Sequence, residues 1–288
     1  MSLATSHRRT VVVAPEAEIV TSAVEVVVGA PPDLVAIIPR CPQLRWVQST
    51  WAGIDAIAHF ASETLQITPL KGVFGPAMTE YVMGWLLAIE RNVISRASHT
   101  QWTPSLEPRI TGKRLGIMGA GGIGAAIALA AKSFGVEVIG LNSDGRAVDG
   151  FTACYRSADR LAFAEGLDHL VSVLPQTAQT DNLIDHEVLI RLNPGAVVIN
   201  AGRGNAVVEA DLIASLNAGH VRAAVLDVFR EEPLPGDDPL WSTPGVHITS
   251  HTAGPTPDEA IGEVFERNLK LYIAGEPLTD AVRVGRGY

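Results

Sequence analysis

Residues Arg114–Gly145 restrict what this 288-residue chain can fold into more than any other stretch. They run as a short apolar segment, Arg114-Leu-Gly-Ile-Met118, and a glycine-spaced turn, Gly119-Ala-Gly-Gly-Ile-Gly124. An alanine-rich amphipathic segment to Phe134, a second apolar run, Val136-Glu-Val-Ile-Gly140, and the turn Leu141-Asn-Ser-Asp-Gly145 follow. This predicts strand, tight loop, helix and strand in order, the first βαβ unit of a dinucleotide-binding domain. Gly119 permits the turn, Gly121 lets the backbone approach a pyrophosphate, and Gly124 lets the helix lie close to the strand it left. Free N–H groups at the helix start face the anion, so Gly119, Gly121, Gly122, Ile123 and Gly124 are candidate cofactor contacts. A lone glycine fingerprint is weak; the flanking strand, helix and second strand make this one specific.

The rest of the chain alternates in the same way. Strands are predicted at 10–13, 24–28, 46–49 and 66–68 before the glycine loop, and at 152–154, 169–174, 196–200, 223–227 and 247–249 after it. A long helical pattern follows Gly75-Pro-Ala-Met-Thr-Glu80 to about His99, and further helices are expected at 182–192, 209–218 and 258–275. Alternation of this kind gives an α/β fold: two Rossmann-like domains, flavodoxin-like plus dinucleotide-binding, with doubly wound parallel sheets. The expected division is 1–95 plus 258–288 for a discontinuous substrate domain and 96–257 for the dinucleotide-binding domain, since 288 residues exceed one average domain.

Composition narrows the partners. The formal charge of −9 and the lack of a Lys/Arg cluster argue against nucleic acid. Val11-Val-Val13 is too short for a signal segment or a membrane span. Two cysteines, Cys41 and Cys154, form no disulfide framework and suit a reducing cytoplasm.

Three ionisable residues stand just after predicted strands: Arg203 after Val197-Val-Ile-Asn-Ala201, Glu232 after Val225-Leu-Asp-Val-Phe229, and His251 after His247-Ile-Thr-Ser250. Ligands of an open parallel sheet bind beyond the carboxyl ends of its strands, so the three converge on one cleft. An arginine fork grips a carboxylate, and a histidine oriented by a neighbouring carboxylate gives or takes a proton near neutrality. Beside a nicotinamide such a set reduces a 2-oxo acid. Taken singly, Arg203 also reads as a surface ion pair, Glu232 as a solvated acid and His251 as a structural histidine; their joint position favours chemistry. His247 and His251 are four apart, but on a strand rather than a helix and without further ligands, so no metal site is expected. The turn Gln48-Ser-Thr-Trp-Ala-Gly-Ile-Asp55 carries Trp51 and reads either as a packed strand-to-helix turn or as a substrate-facing loop.

At these residues the chain resembles the D-isomer-specific 2-hydroxyacid dehydrogenases. The resemblance spans nearly the whole chain, through Gly75-Pro-Ala-Met-Thr-Glu80, Gly112-Lys-Arg-Leu-Gly-Ile-Met-Gly119, Leu174-Pro-Gln-Thr177, Ile199-Asn-Ala-Gly-Arg-Gly204, Asp227-Val-Phe-Arg-Glu-Glu-Pro-Leu-Pro235 and Ser250-His-Thr-Ala-Gly254. It implies catalytic roles for Arg203, Glu232 and His251, cofactor contacts by Leu174, Pro175, Thr180 and Ala201, and nicotinamide contact by Asp227. It also implies carboxylate binding by the backbone around Ala52 and Gly53, beside Trp51, and a homodimer built on the nucleotide domain. The ending Arg286-Gly-Tyr288 resembles the glyoxylate/hydroxypyruvate reductase branch, which implies a small 2-oxo acid substrate.

Two positions depart from the family pattern. Many members carry an acid after the second strand of the nucleotide domain; here Asn142 and Ser143 stand there, with Arg146 nearby. A carboxylate would bond the ribose 2′-hydroxyl of NAD(H) and repel a 2′-phosphate, so the neutral amide favours NADP(H) while leaving NAD(H) open. Trp51 replaces a common glycine and should reshape the substrate pocket. A redox-sensing, corepressor-like protein on the same scaffold is the alternative.

Overall fold

The structure, a computed structural model, describes residues 23–282. The strand expected at 10–13 and the ending at 286–288 lie outside them. In chain order the elements are β1 (Val26–Gly29), α1 (Pro31–Ile37), β2 (Trp46–Ser49), β3 (Gln66–Thr68), α2 (Gly75–Glu90), α3 (Val93–Ala97), β4 (Arg114–Met118), α4 (Gly122–Ser133) and β5 (Glu137–Asn142). There follow β6 (Ala153–Arg156), α5 (Arg160–Ala164), β7 (His169–Ser172), α6 (His186–Leu189), β8 (Ala196–Asn200), α7 (Glu209–Asn217), β9 (Val221–Leu226), β10 (Val246–Ile248) and α8 (Asp258–Ala274).

The described residues divide into two compact units, one reaching to Lys71 and resuming at Thr256, the other Gly72–Pro255. In the first, β1, β2 and β3 pair in parallel in that order. One apolar cluster joins Leu34 and Ile38 to Val47, Ile54, Ile57 and Ile67. Trp46, fully buried, stacks on Phe265 of α8 at 5.3 Å between ring centroids and donates its indole N–H to Thr68 Oγ1 at 2.8 Å. Asn268 of α8 donates to Gln48 Oε1 at 3.2 Å and accepts the N–H of Thr279 at 3.1 Å, so the helix is tied to the strands by buried amides as well as rings.

In the second unit seven parallel strands run in the order β6-β5-β4-β7-β8-β9-β10. The chain steps outward from β4 to β6, then crosses back to β7, which puts the topological switch point between β4 and β7. Strand residues alternate between two cores. Leu115, Ile117, Val138, Val171, Val197, Ile199 and Val225 pack with Val82, Leu86 and Ile89 of α2 and Ile127, Ala128 and Ala131 of α4. Met118, Leu141, Leu170, Val198, Ala224 and Leu226 pack with Phe163, Val188, Leu189, Leu212 and Leu216 from α5, α6 and α7. Both faces are therefore covered, as an all-parallel sheet requires.

Three sequence expectations are corrected here. Residues 72–95, expected in the substrate domain, belong to the second unit, because the apolar face of α2 is buried against α4 and the sheet. The helix expected to run to about His99 breaks at Asn92, which adopts φ 51° and starts α3; asparagine tolerates the left-handed region better than most residues. The helix expected at 182–192 shrinks to α6, because Asn182 is left-handed (φ 57°) and Asp185 caps the helix start by accepting the N–H of Val188.

The edge of this sheet at the N-terminal ends of its strands holds a buried charge network. Glu90, the last residue of α2 and 3% exposed, accepts His169 Nε2 at 3.0 Å and Arg222 Nη2 at 2.6 Å on the same oxygen. Burial opposes the charged carboxylate, but the His169 hydrogen bond and the charges of His169, Arg222 and Lys113 together hold its pKa below the ordinary value of 4.5. A carboxyl depressed in the folded state stabilises the fold above the unfolded-state value, and that stability is lost as pH falls through the folded value. Glu90→Ala is expected to cost about 3 kcal/mol near pH 7, the low end of the range for breaking a buried pair because Arg222 remains partly exposed. Urea denaturation repeated down to pH 3 should show wild type and variant converging below about pH 4.5, and equal midpoints at pH 7 would refute this.

Candidate active site on the carboxyl edge of the sheet

Strand register places the site. Met118 pairs with Leu141 and Ser172, Ser172 with Asn200, Asn200 with Leu226, and Leu226 with Ile248. These residues end or nearly end β4, β5, β7, β8, β9 and β10 in a single row. The loops that follow, carrying the glycines, Asn142, Leu174, Arg203, Glu232 and His251, therefore leave from one edge.

The glycine loop fits a dinucleotide pyrophosphate. Gly119 has φ 105°, and its N–H and that of Ala120 both donate to Leu141 O. A Cβ on Gly124 would lie 2.2 Å from Gly119 O, so only glycine lets α4 begin there. Beside Gly121 and Gly122 a Cβ would meet nothing within 4 Å, which leaves room for a ligand where the helix starts. The first turn of α4 has no side-chain cap and no acidic residue, which suits its N–H groups to an anion.

The loop after β5 is held by Asn142 itself. Its Oδ1 accepts the N–H groups of Asp144 and Gly145, and its Nδ2 donates to Arg146 O at 2.8 Å. Ser143 and Arg146 are exposed, and the Arg146 guanidinium stands 3.4 Å from Asp144. Arg156 is the register partner of Asn142 on β6 and pairs with Asp159 at 2.7 Å. This second cation was missed in the sequence, because strand register across a sheet leaves no local signal. Two arginines, each paired with a nearby acid, thus flank Asn142.

Arg203, Glu232 and His251 stand on three neighbouring loops. Arg203 lies between two glycines that press on adjoining backbone: a Cβ on Gly202 would sit 2.5 Å from Leu174 N, and one on Gly204 1.9 Å from Phe229 C. Asn200 Nδ2 holds the Arg203 carbonyl at 3.0 Å, and the Arg203 guanidinium reaches Gly202 O at 2.8 Å. Glu232 accepts the N–H of Phe229 on Oε1 and His251 Nδ1 on Oε2, both at 2.9 Å. A carboxylate only accepts, so Nδ1 carries the proton and Nε2 is the ring atom left for other partners. His251 has φ 55°, and its N–H is bound to Asp227 O at 2.8 Å.

Asp227 is bound within the loop that follows β10. Its side chain is 1% exposed and accepts Thr249 Oγ1, Thr252 N at 2.8 Å and Ala253 N at 2.9 Å. The carboxylate is thus folded inside the loop that carries His251.

Other predicted residues fall on the same edge. Leu174 is buried after β7; Thr180 closes the next turn by donating to Pro175 O at 2.7 Å; Ala201 is bound through its N–H to Ser172 O. In the first unit Trp51 is 45% exposed on the loop after β2, its carbonyl accepting Leu70 N at 2.9 Å, while Ala52 and Gly53 continue that loop. Among the described residues no group of three or more His, Cys, Asp or Glu could hold a metal. His247 faces Trp85, 5.1 Å between ring centroids.

Known proteins are similar to this chain in sequence and in structure. Residues 83–253 match the family model described as "D-isomer specific 2-hydroxyacid dehydrogenase, NAD binding domain". Glyoxylate/hydroxypyruvate reductase A of Yersinia enterocolitica is 37% identical over 258 residues, covering 85% of this chain and 82% of that protein. A D-isomer specific 2-hydroxyacid dehydrogenase family protein of Aeromonas salmonicida superposes with a TM-score of 0.84 at 33% identity, over 92% of this chain and 86% of that one. The NADPH-dependent glyoxylate/hydroxypyruvate reductase of Sinorhizobium meliloti, solved with NADP and sulfate, superposes with a TM-score of 0.83 at 30% identity, over 93% and 87%.

Proposed function

The chain belongs to the D-isomer specific 2-hydroxyacid dehydrogenase family, and we propose that within it the protein reduces a small 2-oxo acid such as glyoxylate or hydroxypyruvate, preferring NADPH. The observation that carries this reading is the His251–Glu232 contact at 2.9 Å, with Arg203 on the neighbouring loop, at the sheet edge where the glycine loop also ends.

When bound, a reduced nicotinamide would supply the hydride that the substrate's carbonyl carbon needs. Arg203 grips the substrate carboxylate with its planar fork, which fixes the carbonyl for attack. Glu232 holds the His251 ring through Nδ1. Nε2–H then delivers the proton to the carbonyl oxygen as charge develops there, giving the D-2-hydroxy acid. Gly119, Gly121, Gly122, Ile123 and Gly124 would hold the pyrophosphate, with Leu174, Pro175, Thr180 and Ala201 along the same edge. The proposed role of Trp51, Ala52 and Gly53 is contact with the substrate.

Oxidation of NADPH and NADH, followed by absorbance against a panel of 2-oxo acids, tests this. Turnover with glyoxylate or hydroxypyruvate is expected. Tight cofactor binding without turnover of any acid would move the protein to the sensor reading.

The cofactor preference rests on Asn142 with Arg146 and Arg156, and has the NADP-bound Sinorhizobium relative beside it. Asn142→Asp retains an acceptor for the N–H groups of residues 144 and 145, but it adds a charge that repels a 2′-phosphate and accepts a 2′-hydroxyl. The ratio of kcat/KM for NADPH to that for NADH is expected to fall about tenfold or more. An unmoved ratio would refute this account of the loop.

The same reading includes a cytoplasmic homodimer. Cys41 and Cys154 are free, and among the described residues no helix is long and apolar enough to cross a membrane. Trp102 and Leu106, fully or almost fully exposed, follow α3, whose Val93 and Ile94 are half-exposed, and a second copy would cover such apolar side chains. Sedimentation velocity should give the mass of two chains, and a single-chain mass at micromolar concentration would refute the dimer.

A further inference from the structure

The loop that carries His251 is organised from the opposite side by α2. Thr249 donates its one hydroxyl proton to Asp227 Oδ1, so at 2.7 Å the Tyr81 hydroxyl must be the donor to Thr249 Oγ1. A directed chain results, from Tyr81 through Thr249 to the buried Asp227 carboxylate, which also accepts the N–H groups of Thr252 and Ala253 and, at 3.5 Å, the Thr252 hydroxyl. The Asp227 carbonyl takes the N–H of His251, a residue held at φ 55°. A non-glycine residue in that region persists only where its surroundings over-determine it, and these hydrogen bonds are such surroundings. Burial, with the Asp227 charge beside it, pushes the Tyr81 phenol up to about 12 despite opposing hydrogen bonds from Thr249 and Trp85, so it stays a donor through any working pH.

Resting on the reductase reading above, we propose that Tyr81 and Thr249 are positioning residues for the proton donor, acting through Asp227 to hold the 249–253 loop in the conformation that presents His251 to the substrate. Neither hydroxyl belongs to the Arg203–Glu232–His251 trio, and Tyr81 lies 170 residues before His251 in the chain.

The test uses Tyr81→Phe, Thr249→Val and Thr249→Ser in the full-length protein. Tyr81→Phe keeps the ring and loses only the hydroxyl; Thr249→Val keeps the shape; Thr249→Ser keeps the hydroxyl. With NADPH and the best 2-oxo acid, kcat is expected to fall about ten- to a hundredfold in the first two, with KM for NADPH unmoved, and to be retained in the serine variant. Independently of turnover, amide hydrogen exchange of residues 251–253 should accelerate in Tyr81→Phe and Thr249→Val while that of β4 and β7 stays as in wild type. If wild type turns over no 2-oxo acid, the exchange data still decide the positioning role and only the reductase reading falls. Wild-type exchange in the loop, or equal loss of kcat in the serine and valine variants, would overturn the proposal. Should one variant fail to fold, the other carries the same comparison.

Discussion

His251→Gln is expected to lower kcat for 2-oxo acid reduction by about 10²- to 10⁴-fold, the contribution a positioned general acid makes. Glutamine is close in length to histidine and can still donate to Glu232, so the 229–232 loop keeps its partner. What it lacks is a group able to release a proton at Nε2 when negative charge builds on the carbonyl oxygen. The glycine loop, Asn142 and Arg146 are untouched, so the Kd for NADPH, read by fluorescence titration, should stay at the wild-type value. Single-turnover kinetics with pre-bound NADPH separate the chemical step from product release. An unchanged rate there would remove His251 from the proton-donor role.

Arg203→Ala should act on a different parameter. A charge-assisted, bidentate hydrogen bond to a carboxylate is worth about 1.5–3 kcal/mol, so KM for the oxo acid is expected to rise about ten- to a hundredfold. Backbone geometry should survive, because Gly202 and Gly204 fix the turn by their close approach to Leu174 and Phe229, and Asn200 holds the Arg203 carbonyl. Arg203→Lys restores the charge without the fork, so its KM should fall between the two. Wild-type KM in the alanine variant would show that the substrate carboxylate is bound elsewhere, and a raised KM for NADPH instead would place Arg203 at the cofactor.

Which parts of this were legible in the chain follows from the range of each interaction. The glycine loop is local: strand, turn and helix are consecutive, and glycine is required at Gly119 by its own φ of 105° and at Gly124 by the Gly119 carbonyl five residues back. Arg203, Glu232 and His251 could be picked out because each follows a strand, and a parallel sheet sends all such residues to one edge. The fate of α2 was not legible. Its apolar stripe is equally compatible with packing on either unit, and only the fit against Ile127, Ala128 and Ala131 of α4 assigns it. The hydrogen bonds of the Asp227 carboxylate to the loop after β10 were not legible either, since a strand-end aspartate looks the same in sequence whichever way its side chain folds.

The sequence by itself determined the α/β class and the dinucleotide loop, and it singled out Arg203, Glu232 and His251 as the proposed trio, because these readings depend on periodicity, on backbone freedom and on side-chain chemistry, all carried by neighbouring residues. The tertiary structure alone decided that Arg156 stands beside Asn142, that His251 Nδ1 is taken by Glu232, and that Tyr81 reaches the His251 loop through Thr249. Those contacts join residues 14 to 168 positions apart, and their existence depends on strand register and helix packing, which no local pattern encodes.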